Sequence, residues 1–410
     1  MTTPWRPRDP RRRALVGGVG LAVAALLAAC SPASPGGPGG TSTASAAPRA
    51  STAPVPEASA PPEGVPEADA GHPAAPRLLL ATEAGSDGLA IVDPSIREGS
   101  AVVDRVVVGP APWGVAVHAA SGRAFVSTAQ GVAVVDLAAR ERIDLIPYRD
   151  APLDVRFGEY RRGGMGIAVS PDGARVHVAV HRGDSSTLET IDVATREVVA
   201  STPVGLRPFD VLVSADGAHV YTVDHDSFTV HVVDTTTFEA RRIDVAPFGT
   251  EGGLASWEKP HYAALTPDGD LLLPYQGLTL VSLDPDDGTW TSTPLTANSH
   301  QHGVALVPDG RVVAVGNGSF GTATGDPNVT ILDPATGAEA VVPLDRRHET
   351  VTTWTDPATG ALQAVLSGGY TQAQSWDGAT VVDLTTHDTY EISIPGRPQV
   401  VVPLQEGPLP

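Results

Sequence analysis

Cysteine is nearly missing from this chain: one, at position 30, in 410 residues. No disulfide can brace it, so any folded part must be held by packing alone. Lysine is as scarce, with Lys259 alone among 27 basic residues, a surface cation in an otherwise Arg-based set. Positive charge is in deficit, 47 acidic residues giving a formal net charge of −20, which argues against a nucleic-acid partner. No HExxH, P-loop or paired-glycine dinucleotide fingerprint occurs, so the motif-borne routes to zinc proteolysis, nucleotide hydrolysis and hydride transfer are absent. The longest apolar run, Ala14 to Ala29, is short for a bilayer span.

What is present begins with a basic start, Arg6, Arg8 and Arg11 to Arg13, then that apolar run, then Leu27-Ala28-Ala29-Cys30. This is the order of a secretory signal. Small residues before a cysteine resemble the lipobox of bacterial lipoproteins, which makes residues 1–30 a lipoprotein signal peptide and Cys30 the lipidated N-terminus. Arg12-Arg13-Ala14-Leu15-Val16 also resembles a twin-arginine signal, and an ordinary basic start reads the same letters, so the export route stays open. Residues 31–76 are almost wholly Ser, Pro, Gly, Ala and Thr with a few Glu, too poor in apolar side chains to offset chain ordering; they form a disordered tether. Removing residues 1–29 takes away five Arg and one Asp and leaves 22 basic and 46 acidic residues, net −24. The expected location is the outer face of the cell membrane, held by acyl chain rather than by charge.

Residues 77–404 repeat one unit. Arg207 to Pro247 shows it complete: Phe209 to Ser214 and Val220 to Val223 alternate as half-buried strands around an Ala-Asp-Gly turn, Thr229 to Val233 ends on Asp234, and Glu239 to Val245 follows. An apolar triplet closing on Asp recurs at Asp93, Asp136, Asp192, Asp234, Asp284, Asp333 and Asp383. The spacings of 42 to 56 residues suit four strands per unit, the size of a propeller blade, and the Asp residues read as turn caps. The first unit lacks an inner strand, while Gly396 to Leu404 repeats the opening of one with only the tail 405–410 after it. Joining the two closes a ring and removes two sheet edges. The fold expected is all-β, a seven-bladed β-propeller closed by its C-terminal strand.

The stretches APWGVAVHAASGRAFVSTAQGVAVVD, GMGIAVSPDGARVHVAVHRGDSSTLETIDV and RPFDVLVSADGAHVYTVDHDSFTVHVVD resemble YVTN-type β-propeller repeats, over roughly Arg77 to Leu404. The resemblance implies the fold strongly and an activity weakly, since that superfamily includes surface-anchored binding proteins, metal chaperones, lactonases, lyases and amine dehydrogenase subunits.

Function has to come from a site. Aligning the inner-strand openings puts Trp113, Met165, Phe209, His261, His302, His348 and Gln399 at one equivalent position, so three neighbouring blades present histidine at one height around one axis. His181 and His225 end equivalent second strands at the same rim, His300 precedes His302 by two, and Asp224, Asp226 and Glu349 stand close by in sequence. Neutral imidazoles with carboxylates nearby are what zinc, copper or non-haem iron takes. The candidate metal ligands are therefore His261, His302, His348 and His225, with zinc or copper expected and His181 and His300 as weaker members.

Two other motifs fade. Asn317-Gly318-Ser319-Phe320-Gly321 lacks the first glycine and the setting of a nucleophile elbow, and the acidic run from Asp284 to Gly288 lacks the twelfth-position Glu of a calcium loop. Three readings stay open: a lipid-anchored binding protein with a histidine-lined metal site, a metal-dependent enzyme using Glu349, Glu258 or Asp226 as base, and a metal-free scaffold for a protein partner.

Overall fold

The computed structural model describes residues 77–152, 154–245, 259–275, 279–321, 323–369 and 374–404. The expected signal peptide, Cys30, the tether, Glu258 and the tail 405–410 lie outside the described residues. Every Asp-ended strand finishes in a turn that its carboxylate caps. Asp136, Asp192, Asp234 and Asp383 each accept two successive backbone N–H groups through Oδ1. Asp93, Asp284 and Asp333 each accept one, from Ser95, Asp286 and Ala335. These caps turn the third strand of each unit into the fourth.

The result is seven four-stranded antiparallel sheets. Numbered in chain order, blade one is β28 (Pro398–Pro403), β1 (Leu79–Glu83), β2 (Gly88–Val92) and β3 (Val102–Val107), in that spatial order, so the last strand is the inner strand of the first blade. The register runs Leu79 to Pro403 and Ala81 to Val401. The other inner strands are β4 (Val115–His118), β8 (Gly163–Val169), β12 (Pro208–Val213), β16 (Ala264–Leu265), β20 (Gln301–Leu306) and β24 (Val351–Thr355), which open blades two to seven. Among the described residues no helix is long and apolar enough to cross a membrane.

Each sheet has two apolar faces and needs a neighbour on both. Seven buried clusters provide that, one between each pair of adjacent blades; Leu80, Ile91, Val115 and Val126 join blades one and two, and Ala81, Val365, Val381 and Val401 join seven and one. An eighth, Trp113, Met165, Phe209 and Tyr262, sits on the axis. Hydroxyls of second strands add stitches between blades. Thr82 donates to the Trp113 carbonyl (2.6 Å), Ser127 to that of Met165 (2.5 Å) and Ser367 to that of Gln399 (2.8 Å), while each accepts an N–H from its own inner strand.

The inner strands share an irregularity that positions the site. Register slips where β8, β12, β20 and β28 pass Met165, Phe209, His302 and Gln399, a bulge that sets two residues opposite one and re-aims the side chains there. The strands also crowd the axis just after that point: a Cβ on Gly166 would lie 2.5 Å from the Asp210 backbone, and one on Gly303 2.8 Å from Thr350 Cα. Glycine is what lets them approach.

Candidate metal centre

The stitches and bulges define one ring of side chains. Trp113 N–H bonds the Ser127 carbonyl and Ser127 N–H bonds Gly114; in blade seven Glu349 N–H bonds Ser367 and Ser367 N–H bonds Thr350. Glu349, not His348, is thus the counterpart of Trp113, and the ring reads Trp113, Met165, Phe209, His261, His302, Glu349 and Gln399. All seven are buried. The sequence alignment was one residue off in this blade. His348 precedes the ring and turns away, its Nε2 paired with Thr380 Oγ1 at 2.8 Å and its ring edge-on to Trp376 at 5.5 Å.

Histidines from blades four, five and six converge. The His261 and His302 rings stack at 3.9 Å between centroids, His300 lies 4.7 Å from His302 and 5.4 Å from His261, and His225 lies 4.3 Å from His261. His261, His300 and His302 each offer a ring nitrogen, and these atoms all lie within 4.8 Å of one another. His181, equivalent to His225 by register, stays in its own blade with Nδ1 on Ser186 Oγ (3.2 Å). The structure thus brings His261, His302, His300 and His225 together and leaves out His348 and His181.

Carboxylates orient two of these rings. Glu349 Oε2 accepts from His302 Nδ1 (3.0 Å) and its Oε1 from the Tyr262 hydroxyl (2.8 Å). With Nδ1 donating, the His302 lone pair is on Nε2, which has no hydrogen-bond partner among the described residues; His261 Nδ1 has none either. Asp226 Oδ1 accepts from His225 Nδ1 (2.8 Å) and from Lys259 (2.9 Å), and its Oδ2 meets Arg207 (2.6 Å). The chain's one lysine is therefore buried in this network rather than on the surface. Burial pushes the Asp226 carboxyl up, but its bonds to His225, Arg207 and Lys259 outweigh that and hold it well below the usual range.

His225, His261 and His300 are neutral at pH 7. Burial carries His225 down to about 4 against the pull of Asp226. Burial, and then the neighbouring histidines, carry His261 and His300 well below their ordinary value. A buried cluster of imidazoles with ring nitrogens turned together, His302 and His225 each handing the other N–H to a carboxylate, is the arrangement a borderline transition metal needs. Phe209, Tyr262 and Phe320 pack around it and keep it dry.

Tyr262 was not anticipated, because strict alternation turns the residue after His261 away from the axis; no signal in the sequence places it there. Glu349 was read as a neighbour of the site and is a member of its ring.

No protein-family model and no curated protein sequence matches the chain. Among solved structures it is similar to hydrazine synthase of Kuenenia stuttgartiensis, at 19% identity and a TM-score of 0.52 over 67% of this chain and 77% of that one. It is similar also to a protein of unknown function from Desulfotomaculum acetoxidans, at 10% identity and a TM-score of 0.55 over 80% of this chain and 98% of the other. At these identities the likeness is one of fold.

Proposed function

We propose that this chain is an exported binding protein, anchored through lipid on Cys30, whose propeller holds one transition-metal ion, zinc or copper, on His261, His300 and His302 with His225 beside them. The observation that carries the metal reading is the set of three buried ring nitrogens within 4.8 Å of one another. Holding a metal is favoured over working it, because Glu349 and Asp226, the described carboxylates nearest the cluster, are already committed to orienting His302 and His225. The leader and the YVTN-like repeats support the lipoprotein part from sequence alone.

Calorimetric titration of zinc and copper into metal-free protein is expected to give one tight site. His261→Ala and His302→Ala weaken it at least a hundredfold, while His348→Ala changes it by no more than a few-fold. Absence of saturable binding, or equal binding to all three variants, refutes the metal reading. Glu349→Gln, which keeps the shape but weakens the bond to His302, is expected to cost 10- to 100-fold in affinity, the usual range for a group behind a ligand. Anchoring is tested apart from this: labelled palmitate should enter the wild-type chain and not a Cys30→Ser variant, and labelling of both or neither would refute it.

A further inference from the structure

Among the described residues Arg161 has no counter-ion. It is 2% exposed, its guanidinium donates through Nη1 to the Arg162 carbonyl (3.0 Å) and through Nη2 to that of Gly164, and it forms no ion pair among the described residues. Burial lowers it to about 10, with no carboxylate acting against that. An uncompensated buried charge is costly, and folds keep one where something supplies the missing partner. Its Nε–H has no acceptor among the described residues.

A second unmatched donor lies beside it. The Arg161 guanidinium carbon is 5.5 Å from the Trp113 ring centroid, and Trp113 Nε1–H, fully buried, has no acceptor among the described residues. Arg207 Nε, also buried, is the third such donor; its guanidinium stacks 4.0 Å over Tyr160, the residue before Arg161. The guanidiniums of Arg207, Arg162 and Arg161 all act on His181, opposed by the Asp226 carboxylate that pairs with Arg207. Trp113 also lines an axial cavity of about 180 Å³, with Phe209 and Tyr262 among others, with room for several waters or one small molecule at roughly 30 Å³ per water.

We infer that Arg161 and Trp113 form a subsite for a small carboxylate, one oxygen taking Arg161 Nε–H and the other Trp113 Nε1–H, beside the histidine cluster. Carboxylate fits better than phosphate because the single positive charge is matched by a group that brings a single negative one. Two hydrogen bonds of about 2.8 Å to the two oxygens bridge donors carried by groups this far apart. The subsite goes beyond the metal reading and stands on its own donors. Phe209 links it to the metal site, 6.0 Å from Trp113 and 5.5 Å from His261.

The test is titration of acetate, and separately of inorganic phosphate, into the protein both stripped of metal and loaded with zinc. Saturable acetate binding is expected in both states, absent in Arg161→Met and at least five-fold weaker in Trp113→Phe, which removes the N–H and keeps an aromatic ring. Arg161→Met is also expected to melt no lower than wild type in acetate-free buffer, since it discards an unpaired buried charge; an arginine needed only for its backbone bonds gives the opposite. If that variant does not fold, Trp113→Phe decides. The inference is overturned if acetate binds neither state, if phosphate binds and acetate does not, or if acetate needs zinc and is indifferent to Trp113→Phe. Failure of zinc binding alone leaves the expected acetate result unchanged.

Discussion

A chain ended at Ile394, ahead of β28, is expected to lose cooperative melting, while a chain ended at Leu404 is expected to keep it. Three losses coincide in the shorter chain. The pairing of β28 with β1 goes, leaving β1 as an open edge. Val401 leaves the core between blades seven and one, and Leu404 leaves the core between blades one and two. Gln399, whose carbonyl takes the Ser367 and Thr350 hydroxyls, leaves the axial ring. Burial of two such side chains is worth about 4 kcal/mol, before any ladder hydrogen bond is counted, against a total of about 5–15 kcal/mol for a domain. Circular dichroism melts of the two chains decide it. A cooperative transition in the shorter chain within a few degrees of the longer one would contradict ring closure as the source of stability.

Acid is the second strong lever. Metal-free protein is expected to lose most of its stability between pH 6.5 and 4.5. Burial lowers His177 and His181 to about 4 and His348 to about 3, and His225 to about 4, from an ordinary value of 6.5. Below pH 6.5 the unfolded chain takes up protons that the folded one refuses, so stability present above that pH is lost as pH falls toward the folded values. At pH 4.5 each ring accounts for about 2.5 kcal/mol, roughly 10 kcal/mol for the four. Asp210 works the other way. Burial raises it to about 6, so it burdens the fold at neutral pH and is relieved as pH falls, by about 2 kcal/mol at pH 4.5. Four against one leaves the histidines ahead. Urea unfolding free energies at pH 7.5 and 5 test the sign; a value unchanged or higher at pH 5 would contradict it.

The repeat was legible because its marker is a backbone need: an Asp capping the turn after each third strand serves the turn itself and so recurs in all seven blades. Ring closure was legible for a similar reason, an inner strand at one end matching a gap at the other. The site was legible only to within a residue. In blade seven the sequence put His348 in the place that the backbone pairing with Ser367 gives to Glu349. Tyr262 joins Trp113, Met165 and Phe209 on the axis although it follows His261, which period-two reading forbids. His181 and His225 occupy the same slot of neighbouring blades, yet only His225 reaches His261. Lys259 read as a surface cation and is instead paired to Asp226, a contact between residues 33 apart that no local pattern records.

The central claim is that imidazoles from adjacent blades share one metal ion, and X-ray absorption at the zinc edge of protein loaded with one equivalent tests it most directly. The account predicts three or four nitrogen or oxygen neighbours at about 2.0 Å with the outer-shell signature of imidazole, and loss of at least one imidazole in His302→Ala. Zinc that washes off, or that sits among oxygens with no imidazole signature, would contradict it.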